Sequence, residues 1–233
     1  MKLDETRRDG TRTAIILCGG RSTRFGKDKA LLTISGVPMV ARMADRVSCV
    51  VDEIILAARD PEQCETLADV SKMLNDAPIV CDSVAGYGPV AGVLAGLLAS
   101  GSTYSVCLAC DLPHVSSSVV DALFRYAEGR DSVDAAGATG DTGDTGDTGD
   151  TGAADVVIPQ HPDGMLEPLH AVYGRSMIHA CRDAIEEGAH TIRSAIVLVR
   201  RVIYVPTESL RRFDPGLRTF LNVNYPEDLG RVV

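Results

Sequence analysis

TAIILCGGRSTRFGKDK, residues 13–29, starts as a short apolar run and ends in a segment dense in Gly, Arg and Lys. The run TAIILC reads as a buried strand stopped by Gly19 and Gly20. Glycines let the backbone turn tightly and bring N–H groups close to an anion, and open α/β sheets collect ligands at the carboxyl ends of their strands. Phosphate is the natural guest. The spacing excludes two familiar phosphate loops. A P-loop needs four residues between its glycines and a hydroxyl after Gly-Lys, whereas five separate Gly20 from Gly26 and Asp28 follows Lys27. The dinucleotide fingerprint fails because Gly19 and Gly20 are adjacent and no glycine completes its spacing. What remains is a glycine turn followed by Arg21, Arg24, Lys27 and Lys29, enough positive charge to neutralise a triphosphate.

Outward from this stretch, strands and helices alternate. The segment from Pro38 to about Cys49 predicts a helix, EIILAA a strand, PEQCETLADVSKML a helix and PIVC a strand. GPVAGVLAGLLAS predicts a helix after Pro89, and YSVCLAC a further strand. Such alternation implies parallel βαβ units with helices on both faces of one sheet. Residues from about 129 to 154 break the rhythm, and their tandem Gly-Asp-Thr repeat, at 137–152, has nothing to bury. β-roll calcium repeats carry an apolar anchor in each unit and this one has none, so a solvated, disordered insertion is the reading. The chain resumes with ADVVIP and MLEPLHAVYG as strands, GRSMIHACRDAIEEG as a helix, VRRVIYVP as a strand and NVNYPEDLGRVV as a closing turn and helix. The expected organisation is a polar leader over 1–12 and one domain over 13–233 interrupted by the repeat.

The 233 residues suffice for a sizeable core, with 45% apolar and 24% charged side chains. The net charge of −9 disfavours a nucleic-acid partner, which needs clustered Lys and Arg, yet leaves room for a local basic pocket. No run approaches the roughly 20 apolar residues of a membrane span, and the start MKLDETRRDGTR lacks a signal peptide's apolar core, so the cytoplasm is expected. Seven cysteines lie mostly inside apolar stretches and read as reduced core thiols. Cys107 and Cys110 form a C-x-x-C without two further zinc ligands at matching spacing, and the five histidines show no metal-binding pattern.

Asp111 follows YSVCLAC and precedes Leu112-Pro113, which puts it at a strand's carboxyl end, where one carboxylate together with substrate phosphates suffices for Mg²⁺. The same residue type at a strand end also serves as a helix cap or turn former. Asp82, after PIVC, is likewise either a ligand contact or an ordinary turn residue.

The segment LCGGRSTRFGKDKALLTISGVPMV resembles the L-A-G-G-x-x-x-R-M-G-x-x-K-x-L-L-x-x-x-G-x-P signature of the MobA-like nucleotidyltransferases, whose best-known members are the molybdenum-cofactor guanylyltransferases. DSVAGYGPVAGVLAGL, LACDLPHV, GMLEPLHAVYGR and FLNVNYPEDL resemble four further segments of that family in its order, so the likeness covers nearly the whole chain outside the repeat. Cys18 stands where the family commonly has Ala and Phe25 where it has Met. Neither change removes a charge or a ligand, so altered fit with retained chemistry is expected.

The resemblance implies a single-domain, Rossmann-like three-layer α/β/α sandwich on a mostly parallel sheet, like the nucleotide-diphospho-sugar transferases. It implies that Leu17, Cys18, Gly19 and Gly20 lie against a nucleotide, that Arg24 and Lys29 hold its phosphates and act in catalysis, and that Asp111 holds Mg²⁺. By the same likeness Asp82 contacts the guanine nucleotide, and Asn222 and Asn224 lie near the substrate; turn stabilisation is the plainer role for both asparagines. The implied reaction transfers GMP from GTP to the terminal phosphate of molybdopterin, releasing pyrophosphate, with a molybdoenzyme or cofactor-insertion protein receiving the product. A relative using CTP or another nucleotide with a different phosphorylated acceptor shares the motif. A nucleotide-binding regulator without catalysis is a further alternative, against which the retention of both Lys29 and Asp111 argues.

Overall fold

The computed structural model describes residues 8–19, 28–81, 87–133, 154–223 and 228, with backbone alone for residues 8 and 9. Gly20, Arg24, Asp82, Asn224, the Gly-Asp-Thr repeat and most of the expected closing helix lie outside the described residues. In chain order the elements are β1 (Arg8–Leu17), a small hairpin of β2 (Thr33–Ile34) and β3 (Val37–Pro38), α1 (Met39–Val47), β4 (Glu53–Ala58), α2 (Pro61–Met73), β5 (Ile79–Cys81) and α3 (Pro89–Ala99). These are followed by β6 (Ser102–Ala109), α4 (Ser117–Ala127), β7 (Val156–Gln160), β8 (His170–Gly174), α5 (Met177–Glu186), α6 (Ile192–Ile196) and β9 (Val202–Pro206). β1 begins at Arg8, upstream of the apolar run that announces it.

Among the described residues seven strands form one sheet in the order β5-β4-β1-β6-β8-β7-β9. β1 pairs parallel with β4 and β6, β4 with β5, and β7 with β9. Only β8 runs the other way, antiparallel to both β6 and β7. Strict alternation along β1 feeds two cores. Ala14, Ile16 and Cys18 face α1, α2 and α4, while Ile15 and Leu17 face α3, α5 and α6. The result is the expected three-layer α/β/α sandwich, built from near-continuous apolar strands that are covered on both faces. Among the described residues no helix is long and apolar enough to cross a membrane.

α3 shows how close the layers lie. Its buried Gly96 passes directly over Ile15, so a Cβ at Gly96 would stand 3.0 Å from both Cδ1 and Cγ1 of that fully buried side chain and nearer still to Cγ2. Overpacking of this kind costs about 1–3 kcal/mol, against which a helical alanine regains roughly 1 kcal/mol over glycine. Gly96→Ala should therefore destabilise the protein by up to about 2 kcal/mol, lowering Tm by up to about 8 °C in thermal unfolding. An unchanged Tm would mean that Ile15 can move aside.

Candidate active site

The chain runs from β1 outward to β4 and β5 on one side, then returns to place β6 on the other, so the strand order reverses between β1 and β6. That reversal opens a crevice at the carboxyl ends of the two strands, the usual ligand position in an open α/β sheet. Leu17, Cys18 and Gly19 leave β1 at this edge, and Cys110 and Asp111 leave β6 beside them, held by the Cys110 N–H donating to the Leu17 carbonyl at 3.2 Å.

Lys29 reaches the same point from the far end of the glycine-rich stretch. It opens a 3₁₀ turn, Lys29–Leu31, whose N-cap Asp28 accepts a hydrogen bond from the Ala30 N–H at 3.0 Å. Its ammonium lies 3.2 Å from Asp111 Oδ2, with the two side chains 19% and 20% exposed. Partly exposed pairs of this kind contribute at most about 1 kcal/mol to folding, so stability does not account for bringing a cation and an anion 82 residues apart in sequence to one strand end. The Asp111 carbonyl accepts from the Val223 N–H at 2.9 Å, which brings the exposed Asn222 to the same region.

The side chains of Leu17 and Cys18 are buried in opposite cores, and the Cys18 thiol is 3.6 Å from the Ile16 carbonyl. Any contact these two make with a ligand runs through the backbone, and the Cys18 sulfur alters core packing. Burial pushes the Cys18, Cys107 and Cys110 thiols well above their ordinary pKa and the Cys181 thiol up to about 12. Cys107 and Cys110 pack into opposite faces of the sheet as protonated core thiols. None of the seven cysteines is in a disulfide.

Three residues at this edge carry no motif signal in the sequence. Asp28 caps the Lys29 turn. Arg59, at the end of β4, bonds Asp60 at 2.6 Å, and its Cβ sits 3.2 Å from where a Gly19 Cβ would be, so that only glycine passes there easily. Gln63, buried in the first turn of α2, bonds Cys18, Asp28 and Arg59 at once. The run Asp60-Pro-Glu-Gln63 is legible as a helix start, with Asp60 as N-cap and Pro61 in the first turn, but its reach to β1 is a tertiary fact.

Two cavities open on this edge. One of about 410 Å³ is bordered by Asp28, Arg59, Gln63 and Thr66, and the other, of about 450 Å³, by Gln160, His161, Asp163 and Glu208. In the sheet order the Lys29–Asp111 pair falls between them.

Behind the second cavity, Phe220 meets the rings of His161 at 5.6 Å and His170 at 4.9 Å, both edge-on, and His161 Nε2 pairs with Glu167 at 2.8 Å. His170 is fully buried, with Nε2 3.2 Å from Thr219 Oγ1 and no partner for Nδ1 among the described residues. Burial lowers its pKa from 6.5 to about 3, so the folded state keeps it neutral while the unfolded chain protonates it. Stability is thus fully present above pH 6.5 and is lost as the pH falls from there towards 3, by about 1.4 kcal/mol per unit. Denaturant unfolding at pH 5 should show about 2 kcal/mol less stability than at pH 7.5 from this group, and His170→Gln should remove that part of the slope. An equal slope in the variant would assign it to other groups.

Residues 14–202 match the family model described as the MobA-like NTP transferase domain. A probable molybdenum cofactor guanylyltransferase of Methanosarcina mazei is 36% identical over 225 residues, covering 95% of this chain and 90% of that one. A molybdenum cofactor guanylyltransferase of Desulfosudis oleivorans is 31% identical over 93% of this chain and 92% of its own. Among solved structures, the molybdopterin-guanine dinucleotide biosynthesis protein A of Archaeoglobus fulgidus superposes with a TM-score of 0.73 at 28% identity, over 94% of this chain and 96% of that one. With four-fifths of its length inside the family model and relatives this similar along nearly all of it, the chain belongs to the MobA-like NTP transferase domain family.

Proposed function

We propose that this protein is a molybdenum cofactor guanylyltransferase that uses Mg²⁺ and GTP to convert molybdopterin to its guanine dinucleotide. The observation that carries the reading is the meeting of Lys29 with Asp111 at the β1–β6 crevice, in a chain whose relatives bear that name along nearly its full length. The cavities on either side of the pair suit a transfer between two substrates.

A terminal phosphate of molybdopterin attacks the α-phosphorus of GTP; the new O–P bond forms as the bond to the β-phosphate bridge breaks, and pyrophosphate leaves. A phosphate monoester with a second pKa of about 6 is already ionised at neutral pH, so no general base is needed. Lys29 binds the triphosphate and neutralises its charge, and Arg24 of the same segment adds to it. The Asp111 carboxylate suits Mg²⁺, which takes one or two carboxylates and completes its shell with phosphate and water. When bound, Mg²⁺ supplies charge neutralisation at the phosphates. The Leu17–Gly20 backbone and Asp82 orient the guanine nucleotide, and Asn222 and Asn224 the acceptor. A molybdoenzyme or an insertion protein takes the product.

Residues 13–233 act as one domain, with the repeat at 137–152 falling in sequence between α4 and β7. Thiols outside any disulfide suit a reducing compartment, and we propose the cytoplasm as the place of the activity. Thermal unfolding with Mg²⁺ and each of GTP, CTP, ATP and UTP tests the nucleotide. GTP at about 100 times its Kd should add roughly 2.7 kcal/mol, raising Tm by about 5–10 °C. A shift with CTP alone would reassign the protein as a cytidylyltransferase, and no shift with any nucleotide would remove the reading.

A further inference from the structure

Cys18 and Asp28 lie on either side of the segment that holds Arg24, and one side chain bonds both. Gln63 is 2% exposed. Its Nε2 donates to the Cys18 carbonyl at 2.9 Å and to Asp28 Oδ2, and its Oε1 accepts from the Arg59 N–H at 2.7 Å. The partners fix the amide's orientation, because two acceptors face the NH₂ and a backbone donor faces the oxygen. They also fix the residue type: a carboxylate has no proton for Cys18 or Asp28, and a lysine ammonium has nothing to offer Arg59. In a capping box a glutamine at this position returns to the N–H of the N-cap residue; here it reaches the residue before the cap and two other elements. The Gln63 N–H donates to the Asp60 cap at 2.8 Å, which anchors the side chain's base on α2. From Asp28 the chain of bonds continues through the Ala30 N–H to the turn that presents Lys29 to Asp111.

We propose that Gln63 is a positioning residue for nucleotide binding: its amide holds the ends of β1 and β4 and the Lys29 turn in one fixed relation, so that Lys29 is set for the triphosphate before the ligand arrives. The identity of the ligand rests on the proposed function; the clamp itself does not.

Gln63→Leu removes all three bonds at similar volume. Gln63→Glu keeps the acceptor for Arg59 and loses the donors, one of which returns when the buried carboxyl is protonated. Amide hydrogen exchange needs no ligand, and at Ala30 it should be at least about tenfold faster in both variants at pH 8, while the Ile15 and Leu56 amides exchange as in the parent protein. In steady-state assays the KM for Mg·GTP should rise at least about tenfold in both, with kcat nearly kept, and the Glu variant alone should recover affinity as the pH falls from 8 to 6. Unchanged exchange at Ala30, or acceleration shared equally by the strands, would overturn the proposal, as would a KM within twofold of the parent or a Glu variant as flat with pH as the Leu variant. Should the Leu variant not fold, the Glu variant carries both readouts. If the parent binds no nucleotide, the proposed function fails while the exchange result still decides the clamp.

Discussion

Asp111→Asn should lower kcat by about 10²–10³ while leaving the fold almost untouched. The size is that of removing one preorganised charge from a site where charge develops, and here the lost group is also the carboxylate proposed for Mg²⁺. The fold survives because what ties Asp111 into the structure is its backbone: its carbonyl accepts from Val223, and the neighbouring Cys110 N–H bonds Leu17. Among the described residues the side chain's bond is to the partly exposed Lys29, so Tm should move by no more than about 4 °C. The Mg²⁺ concentration that gives half-maximal rate should rise in whatever activity remains. Steady-state kinetics across a Mg²⁺ series, beside a thermal scan, reads all three. Full activity in the variant would take Asp111 out of the mechanism.

Lys29→Met should act mainly on the nucleotide. The lysine is the described cation nearest Asp111, and its turn is held by Asp28, so its loss removes a charge already placed to receive phosphates. We expect kcat/KM for GTP to fall about 10²-fold, with the KM for the acceptor changed far less. Lys29→Arg should recover part of this, since the charge is kept but a planar fork replaces a compact ammonium on a flexible stem. Calorimetric binding of Mg·GTP separates the effect on affinity from that on turnover. An acceptor KM raised as much as that for GTP would mean that Lys29 serves the acceptor instead.

The sheet was legible because its strands are short apolar runs stopped by Gly, Asp or Pro, a pattern that survives without tertiary information. Elsewhere local signals ran out. α4 is not among the elements expected from the alternation, although Ser116 is a sound N-cap and Val119, Val120, Leu123, Phe124 and Tyr126 recur at helical spacing. The strand read across MLEPLHAVYG shrinks to His170–Gly174, since Leu166 makes only an isolated antiparallel bridge to Gln160 and a turn at residues 168–169 separates it from β8. Its antiparallel direction depends on β6 and β7 and no residue in it announces that.

At the site, Asp111 could be picked out because it sits where an apolar strand meets a polar turn, and Lys29 because it fills the lysine position of the MobA-like signature; the structure brings the two to 3.2 Å. Whether a side chain at a strand end faces ligand or core depends on pleat parity, which is why Cys18, singled out for its place in the glycine stretch, proves to be a core residue. Gln63 was hidden for a different reason. Its three partners are the Cys18 carbonyl, the Arg59 N–H and a carboxylate 35 residues away, and backbone partners leave no trace in side-chain sequence.

The most direct test of the account follows the α-phosphate itself. The protein is incubated with Mg²⁺, molybdopterin and GTP labelled at the α-phosphorus, with labelled CTP in parallel. We predict that label from GTP moves into a molybdopterin dinucleotide with one pyrophosphate released per transfer, and that CTP stays intact. Label retained in GTP while CTP is consumed, or neither nucleotide consumed by the folded protein, would contradict it.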